Sequence, residues 1–332
     1  MKAPLTIQGL MLISLLLFAA VSNGQVYYKA RTLTSSDGLS DKSVTCFHKD
    51  KKGFMWIGTH NGLNRYDGHS FKQFRPTGGN SISNEVINDI AEDSKGRIWV
   101  ATMEGLNIYD PGTNAWNVMV PNPDKRGNSV PNYIIWDIHI SSDDVVWIAS
   151  DVFEFGKYDI NKKQFTFYDW PAFARGHPSM SKGRYRSIQQ FVKMNEEEFF
   201  LATTTGLVSL NTTTNEFRYL GGGYYGEIRD IRYDTIGKKV FLSVERGLIF
   251  EYDEQTGVYA ERMAETAPYP STQFRLPGNN EIWMASQDGL LKISDDRKKI
   301  SLEKNIPQLA GSLLPGGVNF VYEDDQFIRW VA

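Results

Sequence analysis

The chain has 332 residues, 36 basic and 39 acidic side chains and a formal net charge of −3, so nothing in its charge draws it toward nucleic acid. Its hydrophobic fraction of 41% supports packed cores rather than disorder, and its length exceeds one ordinary core of ~100–200 residues, which leaves two domains or a repeat array. The single cysteine excludes an intramolecular disulfide and a cysteine-based zinc cluster.

The first predicted element is an address. Met1-Lys2 precedes an apolar run from Leu10 to Val21 broken only by Ser14, and Ser22-Asn23-Gly24 follows. A basic start, an apolar core and small residues before a cut site predict a secretory signal peptide over residues 1–24, cleaved after Gly24. The run is shorter than the ~20 apolar residues of a membrane-spanning helix. Residues 25–332 are then the exported part, held by core burial alone.

From there one pattern recurs. Its first copy reads Asp50-Lys51-Lys52-Gly53-Phe54-Met55-Trp56-Ile57-Gly58-Thr59, then His60-Asn61, then Gly62-Leu63-Asn64-Arg65-Tyr66-Asp67. The second reads Asp93-Ser94-Lys95-Gly96-Arg97-Ile98-Trp99-Val100-Ala101-Thr102, Met103-Glu104, Gly105-Leu106-Asn107-Ile108-Tyr109-Asp110. Later copies centre on Trp147, Phe200, Phe241 and Trp283, and a seventh begins at Trp330. The spacing of these aromatics averages about 46 residues.

Each copy splits into four short strands. In the second, Val86 to Glu92 alternates as strand a, Arg97 to Thr102 is strand b, Leu106 to Asp110 strand c and Ala115 to Val120 strand d. Asp and Gly supply the a–b turn, and Gly105 supplies a tight b–c turn. Four antiparallel strands repeating every ~40–50 residues predict an all-β fold, a β-propeller of six complete blades and the start of a seventh. The strand-b aromatics Trp56, Trp99, Trp147, Phe200, Phe241, Trp283 and Trp330 are the predicted blade core. Two copies depart from the pattern. The third lacks the Gly-Leu pair and carries Phe153-Glu154-Phe155-Gly156, so its b–c hairpin must differ. The fifth has Val244 where Thr is expected.

Asp37-Gly38-Leu39-Ser40 followed by Val44, and then Trp56-Ile57-Gly58-Thr59-x-x-Gly62-Leu63-x-x-Tyr66-Asp67-Gly68, resemble the two-component regulator propeller repeat. The resemblance runs over about residues 26–332 and is sharpest in the first two copies. It implies the periplasmic sensor half of a hybrid two-component system of Bacteroides-type bacteria. There, two seven-bladed propellers precede a small β-sandwich, a membrane helix and a histidine kinase. It further implies an oligosaccharide ligand, a homodimer and an inner-membrane anchor in the intact protein, with no nucleic acid bound by this segment and no catalysis in it. In that family the N-terminal strand, here Val26 to Thr34, completes the last blade. With Ala332 falling inside strand b of the seventh copy, the expectation is a domain cut within its last blade, with an exposed edge that favours association.

In a propeller the d–a and b–c connections share one face. The d–a connections here are long and unlike one another, whereas the a–b turns are short and alike, so recognition is expected on the d–a face. The longest, Asp169 to Ser187, carries Trp170, Arg175, Arg184, Tyr185 and Arg186, aromatic and guanidinium groups suited to sugar rings and acidic substituents. The plainer reading, and the favoured one, is that Trp170 and Tyr185 cap the propeller or meet a neighbouring domain. The b–c turns add His60, Asn61, Glu104 and Arg246. No catalytic motif, metal set or cofactor fingerprint appears, and Gly221-Gly222-Gly223 precedes no helix pattern. A propeller-fold lyase or glycosidase is the alternative. It would need paired carboxylates on one face, with Glu104 and Glu245 as possible members. A WD-type scaffold is disfavoured because Trp136-Asp137 occurs once and in strand a. Cys46 reads as a small buried strand-a residue.

Overall fold

The computed structural model describes residues 33–119, 134–151, 155–176, 188–222, 227–234, 237–244, 249–263, 273–275, 282–286, 289–294, 300–303, 321–323 and 328–331. The predicted signal peptide, its cleavage site and most of Val26 to Thr34 lie outside them.

The alternating segments form strands that pair in chain order. Blade 1 holds β1 (Val44–Lys49), β2 (Met55–Thr59), β3 (Gly62–Tyr66) and β4 (Phe71–Phe74). Blade 2 holds β5 (Ile87–Glu92), β6 (Ile98–Thr102), β7 (Gly105–Asp110) and β8 (Ala115–Met119). Blade 3 holds β9 (Ile135–Ile140), β10 (Val145–Ser150), β11 (Phe155–Asp159) and β12 (Gln164–Phe167). Blade 4 holds β13 (Ile188–Lys193), β14 (Glu198–Thr203), β15 (Gly206–Asn211) and β16 (Glu216–Gly221). Blade 5 holds β17 (Ile228–Asp234), β18 (Lys239–Val244), β19 (Ile249–Asp253) and β20 (Val258–Met263). Blade 6 holds β21 (Gln273–Arg275), β22 (Ile282–Ser286), β23 (Gly289–Ile293) and β24 (Ile300–Glu303). Blade 7 is a hairpin of β25 (Val321–Glu323) and β26 (Arg329–Val331). The described residues thus form six four-stranded antiparallel sheets and one two-stranded sheet.

The innermost strands β1, β5, β9, β13 and β17 stand side by side in that order, as do β21 and β25. The seventh sheet packs against the first. Phe47 stacks on Tyr322 (centroids 6.3 Å apart), and Trp330 meets Phe47 at 6.2 Å and Tyr66 at 6.1 Å.

Strand b is buried along its whole length in β2 and β6, because each sheet is sandwiched between two neighbours. The predicted aromatics sit there. Trp56 and Trp99 have no exposed surface, and Trp147, Phe200, Phe241 and Trp283 are all buried, with Trp330 half-buried. Five of them meet a ring of the next blade, and the partner is often the tyrosine that ends strand c. Trp56 meets Tyr109 at 5.7 Å, Trp99 meets Tyr158 at 6.1 Å, Phe200 meets Tyr252 at 6.0 Å and Trp330 meets Tyr66 at 6.1 Å. Blade 4 carries Leu210 at that position, and Trp147 packs on Phe199 instead, at 4.3 Å.

The turns explain the polar letters of the repeat. Asp50 Oδ1 accepts the amides of Lys52 and Phe54, and its Oδ2 accepts Trp56 Nε1 at 2.8 Å. Asp93 does the same for Lys95, Arg97 and Trp99 Nε1, the last at 2.9 Å. The Asp of the Tyr-Asp pair starts the c–d turn. Asp67 accepts the amides of Ser70 and His69, which hold its carboxyl down at about 2. Asp110, Asp159 and Asp253 accept turn amides in the same way, and Asn211 fills the role in blade 4.

The irregular third copy keeps its register. Phe155 pairs with Ala149 where Leu63 pairs with Gly58 and Leu106 with Ala101, so a longer turn delivers a buried phenylalanine to the leucine position. The Asp169 to Ser187 connection departs from the plain loop expected of it. Trp170–Gly176 forms a short helix, α1, begun by Asp169 Oδ1 accepting the Ala172 amide, with Pro171 in its first turn.

Replacing Trp99 with alanine removes a wholly buried ring and is expected to cost about 3–5 kcal/mol, read as a lower denaturant midpoint. Trp99→Phe keeps the ring but abandons the bond to Asp93, and is expected to cost about 1–3 kcal/mol in the same assay.

Candidate functional site on the loop-bearing face

Three buried threonines organise the b–c hairpins of blades 1, 2 and 4. Thr59 Oγ1 donates to Gly62 O at 2.8 Å and accepts the Asn61 amide at 3.0 Å. Thr102 repeats this with Gly105 O and the Glu104 amide, and Thr203 with Gly206 O and the Thr205 amide. The two-residue turns close through Gly62 at φ 114°, Gly105 at φ 89° and Gly206 at φ 134°, conformations that favour glycine. Thr–x–x–Gly is therefore a self-capped turn whose two variable residues are presented outward.

The d–a connections are pegged to the same hairpins. Asn64, fully buried on β3, accepts the Ser40 amide on Oδ1 at 2.9 Å and donates through Nδ2 to Ser40 Oγ at 2.8 Å. Ser40 Oγ lies 3.0 Å from Thr59 Oγ1. In blade 2, Asn107 accepts the Ser83 amide at 2.8 Å and donates to Ser83 Oγ at 2.9 Å, and Ser83 Oγ donates to Glu104 O at 2.6 Å. The preceding Leu39 and Ile82 are buried and anchor each peg. Sequence reasoning missed this network. The signal was present, since serine and asparagine stand 24 positions apart in both copies.

Among the predicted contact residues, His60 and Glu104 are exposed on their turns. Asn61 is half-buried, and its Oδ1 accepts a hydrogen bond from Arg75. Arg75 also donates to Gln73 Oε1 at 3.3 Å and Ser40 O at 3.4 Å, so it straps the start of a d–a connection over the first hairpin. Trp170 is 1% exposed and packs against Phe173 and Phe217, each at 5.7 Å, so it seats α1 on blade 4. Arg175 lies within α1. Arg184, Tyr185, Arg186 and Arg246 fall outside the described residues, as does Glu245. Cys46 is buried, and burial pushes its thiol far up, away from thiolate reactivity. Among the described residues no three His, Cys, Asp or Glu side chains converge as metal ligands, and no helix is long and apolar enough to cross a membrane.

Four-stranded antiparallel repeats laid side by side, with pegged d–a connections in blades 1 and 2 and two-residue b–c turns in blades 1, 2 and 4, are the architecture of a β-propeller. Residues 38–61 and 81–104 match the family model of the two component regulator propeller. The matched segments span the Ser40 and Ser83 pegs and the Trp56 and Trp99 strands.

Over 71 residues the chain is 41% identical to Histidine kinase P4 of Formosa agariphila, a match covering 20% of this chain and 5% of that protein. A B. thetaiotaomicron structure described as the extracellular domain of a proposed hybrid two component system, BT3049, superposes with a TM-score of 0.73 at 21% identity. That match covers 92% of this chain and 40% of the other. PorZ, described as a surface component of the type-IX secretion system of Porphyromonas gingivalis, superposes with a TM-score of 0.64 at 16% identity, over 90% of this chain and 46% of its own. The two structures share the fold with this chain. The chain spans less than half the length of each of these proteins.

Asn107→Ala leaves the Ser83 peg without its acceptor and is expected to cost about 1–3 kcal/mol, with faster amide exchange at Ser83 and Glu104. Asn117→Ala, on the exposed strand β8, is expected to stay within about 0.5 kcal/mol of the parent and to leave both amides protected.

Proposed function

We propose that this chain is the periplasmic ligand-sensing propeller region of a hybrid two-component sensor histidine kinase. In this reading it is exported by the signal over residues 1–24, works as a homodimer within the intact protein, and is tethered to the inner membrane by a downstream helix. Its task is binding and relay, and the kinase chemistry belongs to other domains.

The observation that carries the reading is the contrast between constant pegs and variable loops. The Ser–Asn–Thr networks recur in the two blades that match the two component regulator propeller family, while the residues they present differ. His60-Asn61 in blade 1 becomes Met103-Glu104 in blade 2 and Thr204-Thr205 in blade 4. A rigid support with changing tips is what specific recognition needs. The ligand proposed is a glycan-derived oligosaccharide. Trp170 seats α1, and the residues proposed to contact the ligand are Arg175, Arg184, Tyr185 and Arg186 of that connection with His60, Glu104 and Arg246 of the b–c turns.

Calorimetry against a panel of acidic and neutral oligosaccharides tests this. The parent is expected to bind one class, and Arg184→Ala combined with Tyr185→Ala is expected to weaken that binding at least ~10-fold, about 1.4 kcal/mol. Unchanged affinity in the double variant would remove the loop from the site, and cleavage of a panel member would make the chain an enzyme.

A further inference from the structure

Blades 1 to 5 carry a bulge at the same place in the innermost strand. Its register with strand b shifts between Val44 and Cys46, Ile87 and Asp89, Ile135 and Asp137, Ile188 and Gln190, and Ile228 and Asp230. The residues set out by these bulges are Thr45, Asn88, Trp136, Gln189 and Arg229. They lie toward the loop-bearing face. Two positions before the first three, the carbonyls of Ser43, Val86 and Ile134 accept the amides of His60, Met103 and Asp151 from the b–c turns.

Neighbouring bulges touch. Thr45 Oγ1 donates to Ile87 O at 2.6 Å, and Asn88 Nδ2 donates to Ile135 O at 2.8 Å. The residue after the bulge reaches for the next blade too. Asp89 Oδ2 accepts the Ile138 amide at 3.1 Å, and Asp137 Oδ2 accepts the Phe191 amide at 2.9 Å. Because β1, β5, β9, β13 and β17 stand side by side, the bulge residues form one arc around the inner rim.

Trp136 interrupts that arc. Where Thr45 and Asn88 each bond the following blade, its indole N–H is shut away from water and meets no acceptor. The ring is half-buried, unlike the wholly buried Trp56 and Trp99. Among the described tryptophans it is the one with neither a ring contact nor a polar partner. A tryptophan kept for packing has both, and a buried donor left unanswered is unfavourable. Next along the arc, Gln189 Nε2 donates to Glu227 Oε1, and Arg229 pairs with Glu227 Oε2 at 3.1 Å. A flat apolar ring therefore stands between the Asn88 amide on one side and an amide and ion pair on the other.

We propose that Trp136 is the platform of a binding site at the inner rim for an uncharged sugar residue. The sugar lies on the indole face, its hydroxyls exchange hydrogen bonds with Gln189 and the Glu227–Arg229 pair, and the indole turns to give its N–H to a sugar oxygen. This site rests on the oligosaccharide reading above and adds the rim to the contacts proposed on the loops. Its charge selects the class. At and beside the bulges, Asp89, Asp137, Asp230 and Glu227 outnumber Arg229, and Arg232 further along β17 is bonded to Asp230 at 3.1 Å. A uronate or sulfate would face that excess of carboxyl groups, whereas a neutral hydroxyl can donate to it.

Calorimetry of the full chain against neutral malto-, xylo- and manno-oligosaccharides, and against uronate-bearing and sulfated ones, tests the site. A neutral oligosaccharide is expected to bind the parent, and Trp136→Ala is expected to weaken that binding at least ~10-fold. Trp136→Phe, which keeps a ring and loses the N–H, is expected to weaken it by a smaller factor. Thr45→Val loosens the same arc away from the platform and is expected to leave affinity unchanged. Nitrogen-15 NMR of the parent keeps the test decisive should Trp136→Ala fail to fold, since the Trp136 indole N–H signal is expected to move when the sugar is added. Unchanged affinity in Trp136→Ala, an unmoved indole signal, equal losses in Thr45→Val, or binding confined to acidic oligosaccharides would overturn this site and leave the oligosaccharide reading standing. Failure of the parent to bind any oligosaccharide would overturn that reading and this site with it.

Discussion

The contact on which the rest depends is the strand-b aromatic laid against the following blade. The ladder hydrogen bonds make each sheet but run within a blade, so one sheet is held to the next by side chains, a few hydrogen bonds from the innermost strands and the buried aromatics above all. Trp99 against Tyr158 and Trp56 against Tyr109 do that, in an environment with no exposed surface at either indole. Rings of this size fill a gap that aliphatic side chains leave open. The indole N–H would be an unsatisfied donor in such a place, and Asp50 and Asp93 answer it while shaping the preceding turn. One aspartate thus ties turn geometry, indole orientation and blade packing together.

That coupling explains why so much of the fold was legible. The Asp-x-x-Gly turn, the aromatic and the closing Tyr-Asp recur in sequence because each has a fixed partner in space. Tyr109 is the surface on which Trp56 rests, and Asp110 caps the turn after it. Phe200 shows the rule from the other side. No aspartate precedes it at the position of Asp50, and a ring without an N–H requires none. What escaped the reading were features without period. Helix α1 is a single short insertion, signalled only by Asp169 and Pro171. Phe155 reaches the leucine position through a longer turn, which no motif announces. The Asn64 and Asn107 pegs repeat, yet their partners lie across a loop, where strand alternation gives no guidance.

The candidate face was legible in outline and less so in detail. Its architecture follows from topology, since d–a and b–c connections must emerge together. The role of a given side chain does not. Trp170 offers either a cap or a sugar platform in sequence and is buried between α1 and blade 4 in space, because a tryptophan beside a proline and a phenylalanine is as apt to seat a helix as to meet a ligand. Asn61 reads as a free tip and is held by Arg75. The inner rim is the converse case. Asp89 and Asp137 look like ordinary alternating polar positions until the bulge turns them toward the next blade.

A double-mutant cycle across one blade junction tests the central claim most directly. Trp99→Ala and Tyr158→Leu, singly and together, are to be compared by denaturant unfolding with the distant pair Trp99→Ala and Tyr252→Leu. A junction built on the aromatic contact gives a coupling of about 0.5–1.5 kcal/mol for the neighbouring pair, and additivity within about 0.3–0.5 kcal/mol for the distant one. Additive losses at Trp99 and Tyr158 would contradict the account.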